Sequence, residues 1–157
     1  MRILVTGGNG LVGRFIVRRL AANGHHVTIA GRRKPNSALF SGAVDFHLFD
    51  LDPDADYDTV VNGFDCLVHA AFSHVPGRYR GGEGDDVEGF RARNLDATVK
   101  LFETAAESGV KRGVFLSTRA VYGKHPTGAK LYETTSCNPD TEYGSVKRAC
   151  EIHLQTL

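Results

Sequence analysis

The sequence predicts an α/β domain, a five-stranded parallel sheet in the order 3-2-1-4-5 wound with helices on both faces. Three observations predict it. Short apolar runs alternate with segments of helical periodicity along the chain. Most of the runs are continuously apolar, the pattern of strands buried on both faces. Right-handed crossovers then favour that strand order. The 157 residues suit one domain, of a size that buries roughly 68–70% of the surface its unfolded chain exposes.

Arg2–Thr6 is an apolar run that ends in Gly7-Gly8-Asn9-Gly10, a first strand and its turn. Leu11, Val12, Phe15, Ile16 and Leu20 then recur at helical spacing, with Arg14, Arg18 and Arg19 on the other side. Asn23-Gly24 closes that helix, since glycine takes the left-handed C-terminal conformation cheaply. Residues 27–30 read as the second strand and 44–49 as the third. A short helix over 54–61 precedes Asn62-Gly63, and 66–71 is the fourth strand. Residues 89–108 form a long helix with Leu95, Thr98, Val99, Leu101, Phe102 and Ala105 facing inward, stopped by Gly109. Residues 114–117 make the fifth strand, and the last helix runs from about Thr141 toward the C-terminus. The glycine- and charge-rich stretch 77–89 is expected to be a mobile loop on the ligand side. No repeat, low-complexity tract or internal domain boundary interrupts this order.

Composition narrows the function. Lys+Arg 19 against Asp+Glu 18 gives no global pull toward nucleic acid or an anionic membrane. The apolar runs are too short to span a bilayer, and only three apolar residues follow Met1-Arg2, unlike a signal peptide. Cys66, Cys137 and Cys150 are odd in number and form no CxxC, so they read as reduced thiols of a cytoplasmic protein. The histidines lack metal-ligand spacing, and no metal is expected. Arg32-Arg33-Lys34 is short and has no aromatic platform beside it, so no nucleic-acid partner is expected either.

Gly7, Gly10 and Gly13 sit between the first strand and the first helix. A sharp turn, close approach to a pyrophosphate and tight helix–strand packing all ask for glycine there. The helix N-terminus adds free N–H groups and a positive dipole end. Three glycines alone can also be an ordinary turn; their place between strand and helix is what points to a phosphate cradle. The second strand ends in Ala30-Gly31-Arg32-Arg33-Lys34. An acidic residue would grip the 2′-hydroxyl of NAD, whereas cations suit the 2′-phosphate of NADP, so NADP is preferred to NAD. A solvated basic loop is the alternative, and it leaves that choice open.

Tyr143 and Lys147 are four apart, so on a helix they share a face. A neighbouring cation favours a phenolate and brings a tyrosine toward acid/base work near neutral pH. Taken alone, this spacing is common by chance.

The run Thr6-Gly7-Gly8-Asn9-Gly10-Leu11-Val12-Gly13, the stretch Ser117-Thr118-Arg119-Ala120-Val121-Tyr122-Gly123 and Tyr143-Gly144-Ser145-Val146-Lys147 occur in order. Together they resemble the extended short-chain dehydrogenases, the NAD-dependent epimerase/dehydratase family, over essentially the whole chain. The resemblance implies a Rossmann-type three-layer fold in which Gly7, Asn9, Gly10, Leu11, Val12 and Gly13 cradle NADP or NAD. It implies cofactor contacts from Arg32, Arg33, Asp50, Leu51, Ala70, Ala71, Tyr143 and Lys147. Asp50 matches the residue that meets the adenine amino group, with helix capping as the rival reading. His69 reads as structural. Hydride exchange at a carbinol carbon follows, with Tyr143 moving the hydroxyl proton, Lys147 assisting it and holding the ribose, and Thr118 orienting the oxygen. Asn94 matches an asparagine that supports a proton relay to the lysine, and a solvent-facing asparagine is the other reading. Ser117 and Tyr122 are expected near a small-molecule substrate, often a nucleotide sugar in this family. Val146 departs from the serine common before the lysine and removes no catalytic group.

The resemblance further implies a homodimer through helices 89–108 and 141–157. Family members usually continue with further strands and a substrate domain, so this chain is expected to be the cofactor-binding half of a longer enzyme. A non-catalytic NADP-binding module or redox-sensing regulator is the alternative function, and the intact Thr118, Tyr143 and Lys147 argue against it.

Overall fold

The computed structural model describes residues 1–40, 44–75, 78 and 82–157. Five parallel strands form one sheet: β1 (Arg2–Thr6), β2 (His26–Gly31), β3 (Asp45–Leu48), β4 (Cys66–His69) and β5 (Arg112–Phe115). Their order is β3-β2-β1-β4-β5, as the sequence predicts. The helices are α1 (Gly13–Ala22), α2 (Asp58–Val61), α3 (Val87–Arg91), α4 (Ala97–Glu107) and α5 (Glu142–Leu154). A wide π turn over Ala92–Asp96 joins α3 to α4.

The sheet separates two apolar layers, because successive residues of a strand point to opposite faces. Ile3 and Val5 join Val27, Ile29, Cys66 and Val68 against Val17 of α1. Leu4 and Leu67 pack on the other side against Leu101, Phe102 and Ala105 of α4.

Several elements differ from the sequence reading. On α1 the buried positions are Gly13 and Val17, whereas Phe15 is 56% exposed. The Arg14 and Arg18 guanidinium carbons lie 5.0 and 5.9 Å from the Phe15 ring centroid, so this apolar side chain belongs to the cationic outer face. The short helix covers only Asp58–Val61. Upstream, the Asp52 carboxylate accepts from the Asp54 N–H and that of Asp56 from the Asp58 N–H, each at 2.9 Å. Such local bonds compete with helical pairing.

β4 ends at His69, after which the Ala70 N–H donates to the Thr6 carbonyl and the Ala71 N–H to the Thr6 hydroxyl. β5 begins and ends two residues earlier than expected, which releases Ser117 and Thr118 from the sheet. The long helix begins at Val87, where Asp86 caps the Gly89 N–H. Of the expected loop 77–89, residues 87–89 are therefore helical, while 77 and 79–81 lie outside the described residues.

Candidate functional site

At the end of β1 the chain turns through Gly7 and enters α1. A Cβ on Gly13 would sit 2.2 Å from the Gly7 carbonyl oxygen, so only glycine lets the helix close on the turn. α1 opens without a side-chain cap, with Val12 at the cap position and no acidic residue in the first turn. The Arg14 and Phe15 N–H groups donate to the Gly10 and Val12 carbonyls, so what the helix start offers an anion is chiefly its positive dipole end. Leu11 and Val12 are 73% and 56% exposed beside it.

A cleft of about 420 Å³ runs past this turn, lined by Gly7, Asn9, Gly10, Gly31, Arg32, Arg33, Asp50, Leu51, Ala70, Ala71, Phe72 and Ser73 among others. The structure therefore gathers nine of the residues expected to bind cofactor into one wall system. Leu11, Val12 and Gly13 flank it at the helix end, and Tyr143 and Lys147 lie beyond Phe72. Asn9 donates its amide to the Arg33 carbonyl and ties the turn to the end of β2. Asp50 accepts from the Leu51 N–H at 2.9 Å and faces Arg32 at 3.9 Å. Both of those side chains are well exposed, and such a pair adds little to stability. An uncapped helix end, a glycine-rich turn and cations at the far rim fit a dinucleotide with its pyrophosphate on α1.

Beneath the cleft His69 is buried. Its Nδ1 meets the Thr6 hydroxyl at 2.6 Å and its Nε2 the Thr98 hydroxyl at 3.1 Å. The ring stacks on Phe115 at 5.9 Å. Burial, with Lys147 nearby, pulls its pKa down to about 3. A neutral imidazole with both nitrogens satisfied is a structural strut between β1, β4 and α4.

α5 brings the second group of side chains. Thr141 caps it by accepting from the Gly144 N–H at 3.1 Å, and Glu142 in its first turn pairs with Arg91 of α3. A Cβ on Gly144 would lie 2.6 Å from the Ala120 carbonyl, so glycine lets the helix press against the turn Arg119–Tyr122. Thr118 heads that turn, and its hydroxyl oxygen accepts from the Ala120 N–H at 3.2 Å. That bond leaves the hydroxyl hydrogen free to donate outward. Tyr143 borders a second cleft, about 350 Å³, with Arg119, Ala120, Lys124, His125 and Thr141.

Lys147 is only 3% exposed. Its ammonium donates to the Leu116 carbonyl at 2.7 Å and lies 4.3 Å from the Phe115 ring centroid and 4.7 Å from that of Phe72. Burial pulls its pKa from 10.5 down to about 8, and Cys150 and Glu151 partly oppose that fall.

Asn94 lies at the middle of the π turn and is 1% exposed. Its amide oxygen accepts from the Ser73 N–H at 2.7 Å. Its amide nitrogen donates to the Ser73 and Phe90 carbonyls at 2.8 and 2.9 Å. The solvent-facing reading of Asn94 is thereby corrected. The side chain is committed to the loop after β4 and not to Lys147, and the Asn94 carbonyl takes the Cys150 thiol at 3.6 Å. Ser117 is exposed and donates its hydroxyl to Glu151, while Tyr122 is half-buried and lines neither cleft.

Sequence reasoning missed Phe72, Ser73, Phe115 and the Leu116 carbonyl. Phe72 had a signal, since it directly follows Ala70-Ala71. A backbone carbonyl has none.

A glycine turn beneath an uncapped helix, with a tyrosine and a lysine one helical turn apart past the same cleft, defines a dinucleotide-binding α/β protein of the short-chain dehydrogenase type. The chain belongs to the NAD dependent epimerase/dehydratase family, whose model matches residues 3–157. The UDP-glucose 4-epimerase of Lacticaseibacillus casei is 33% identical, across 96% of this chain and 45% of its own length. Among solved structures, the Thermus thermophilus UDP-glucose 4-epimerase in complex with NAD is 29% identical with a TM-score of 0.82. That match covers 99% of this chain and 50% of the other. MoeE5 in complex with UDP-glucose and NAD is 26% identical with a TM-score of 0.84, over 99% of this chain and 48% of the other. The chain spans about half the length of the UDP-glucose epimerases it matches.

Among the described residues no helix is long and apolar enough to cross a membrane. Cys66, Cys137 and Cys150 are free thiols.

Proposed function

We propose that this chain carries the cofactor-binding and proton-moving half of a nucleotide-sugar oxidoreductase of the epimerase or dehydratase type. The observation that carries the reading is that Tyr143 and Lys147, one helical turn apart, both pack on Phe72, which lines the dinucleotide cleft. A nicotinamide dinucleotide supplies hydride exchange with a carbinol carbon when bound. The N-terminus of α1 binds the pyrophosphate with its positive dipole end. Thr118 donates its hydroxyl hydrogen to the substrate oxygen. Tyr143 takes the proton from the substrate hydroxyl and returns it, and Lys147 supplies the adjacent positive charge. The aromatic walls around Lys147 keep water from the pair.

Two finer assignments belong to the same reading. Arg32 and Arg33 at the rim, with Gly31 where an acidic residue would grip a 2′-hydroxyl, support NADP over NAD. The solved relatives named above hold NAD, so the two cofactors are the comparison to make. The helices over 89–108 and 141–157 are assigned a homodimer interface, for which a dimeric mass at micromolar concentration is the expected result and a monomeric one refutes it.

The test is a calorimetric titration of NADPH and NADH, followed by turnover on UDP-sugars with the full chain. Binding of either cofactor, tighter for NADPH, and turnover lost in Tyr143→Phe with binding kept are the expected results. Intact turnover in Tyr143→Phe removes the mechanism, and tighter NADH binding removes the NADP assignment.

A further inference from the structure

Phe72 joins the two halves of the site. It lines the dinucleotide cleft beside Ser73. Its ring also meets Tyr143 edge to face, with centroids 4.9 Å apart and planes at 89°. On the same ring the Lys147 ammonium stands 4.7 Å from the centroid. Among the described residues, no other aromatic ring packs on Tyr143.

The ring is held from behind. Phe90 of α3 packs on it at 5.6 Å and 73°, and Asn94 fixes the next peptide through both the N–H and the carbonyl of Ser73. Displacing the ring breaks the Phe90 contact, and the Asn94 bonds to Ser73 hold the backbone that carries it. A side chain so restrained sets the position of whatever rests on it.

We propose that Phe72 is a positioning residue for the Tyr143–Lys147 pair: its ring closes the cleft side of both groups, orients the phenol and keeps the ammonium out of water. The proposal rests on the oxidoreductase reading above for its consequence, but not for its test. Phe115 closes the opposite side of Lys147 at 4.3 Å, so loss of Phe72 opens only the cleft side. The titratable groups facing Lys147 are Cys150 and Glu151 on α5 and His69 on β4, Asp96 approaches through Cys150, and Tyr143 shares the Phe72 ring with it. His69 is neutral and Cys150 is a thiol pushed up to about 11 by burial, so neither changes charge between pH 7 and 9.

The experiment follows the 13Cε resonance of Lys147 by NMR in lysine-labelled full chain between pH 6.5 and 11, in Phe72→Ala, Phe72→Leu and Phe72→Tyr. Phe72→Ala is expected to raise the Lys147 titration midpoint by about one pH unit or more, since water reaches the ammonium. Phe72→Tyr keeps the ring and restores the low value, and Phe72→Leu falls between. NADPH and NADH affinities, measured alongside, are expected to weaken most in Phe72→Ala. An unchanged titration in folded Phe72→Ala overturns the proposal. If that variant does not fold, a Phe72→Leu titration equal to wild type does so. Failure of the unaltered chain to bind either dinucleotide sinks the oxidoreductase reading instead, and leaves the titration result standing.

Discussion

Replacing Lys147 with methionine separates stability from function in a way the structure quantifies. The side chain is buried, and its ammonium titrates near 8 instead of 10.5 because burial disfavours the charged form. A difference of that size is worth about 3 kcal/mol, at roughly 1.4 kcal/mol per pKa unit. The sign follows from proton binding. Between pH 8 and 10.5 the unfolded chain holds more protons at this site than the folded one, so stability rises with pH across that window. Below pH 8 the folded protein bears the full penalty of a buried ammonium. Lys147→Met removes it, but leaves the Leu116 carbonyl unpaired, which costs about 1–3 kcal/mol. Near pH 7 the variant is then more stable than wild type by on the order of 1 kcal/mol, from the difference of those two figures. Toward pH 10.5 the order reverses. Cys150, whose thiol burial raises to about 11, works in the opposite sense between its unfolded value and 11; Lys147 partly opposes that rise, so its loss steepens the variant's fall in stability toward high pH and adds to the crossing. Urea unfolding of both proteins at half-unit steps from pH 7 to 10.5 measures the crossing. Parallel stability profiles across that range would refute the reasoning.

Two further substitutions test the supports of the site. Asn94→Ala deletes three hydrogen bonds of 2.7–2.9 Å from a buried side chain and leaves both polar groups of the Ser73 peptide unpaired. A loss of about 2–4 kcal/mol in urea unfolding is expected, with faster hydrogen exchange at the Ser73 amide; unchanged exchange there would contradict the assigned contact. Gly13→Ala places a methyl 2.2 Å from the Gly7 carbonyl. It should cost about 1–3 kcal/mol and at least tenfold in dinucleotide affinity, because the turn that presents the helix end must move. Wild-type affinity by calorimetry would show that the turn tolerates the shift.

The parts most legible in the sequence are those set by local pattern. β1 has the predicted bounds because a short apolar run meets a glycine turn, and the sheet order follows from handedness alone. The start of α5 is legible too, since Thr141 is both an extended residue and a good cap. Strand ends are not. Ala70 and Ala71 continue the apolar run of β4, but ladder length depends on where the neighbouring strand diverges. Phe15 fits the apolar stripe of α1 by spacing, yet two arginines of its own helix hold it on the outer face. In the site, paired spacing reveals Tyr143 and Lys147, and the hydroxyl turn reveals Thr118. The surroundings of Lys147 are invisible in the sequence, because Phe72 follows β4 while Phe115 ends β5 and Leu116 follows it, and only the sheet unites them.

The π turn between α3 and α4 carries a consequence for how this chain can change. A π turn holds one residue more than an α turn, so it absorbs an extra residue while the helix on either side keeps its phase. Phe90 stays buried against Phe72 before it, and Leu101 and Ala105 stay against the sheet after it. The surplus residue falls where Asn94 reaches across to Ser73. Deleting one residue within Ala92–Asp96 would restore α winding and leave both apolar faces in register, yet swing the amide off the loop. Framework and site are separable at this single turn: a one-codon deletion would yield a protein that folds, packs and keeps its sheet, with the phenylalanine beside its cleft set loose.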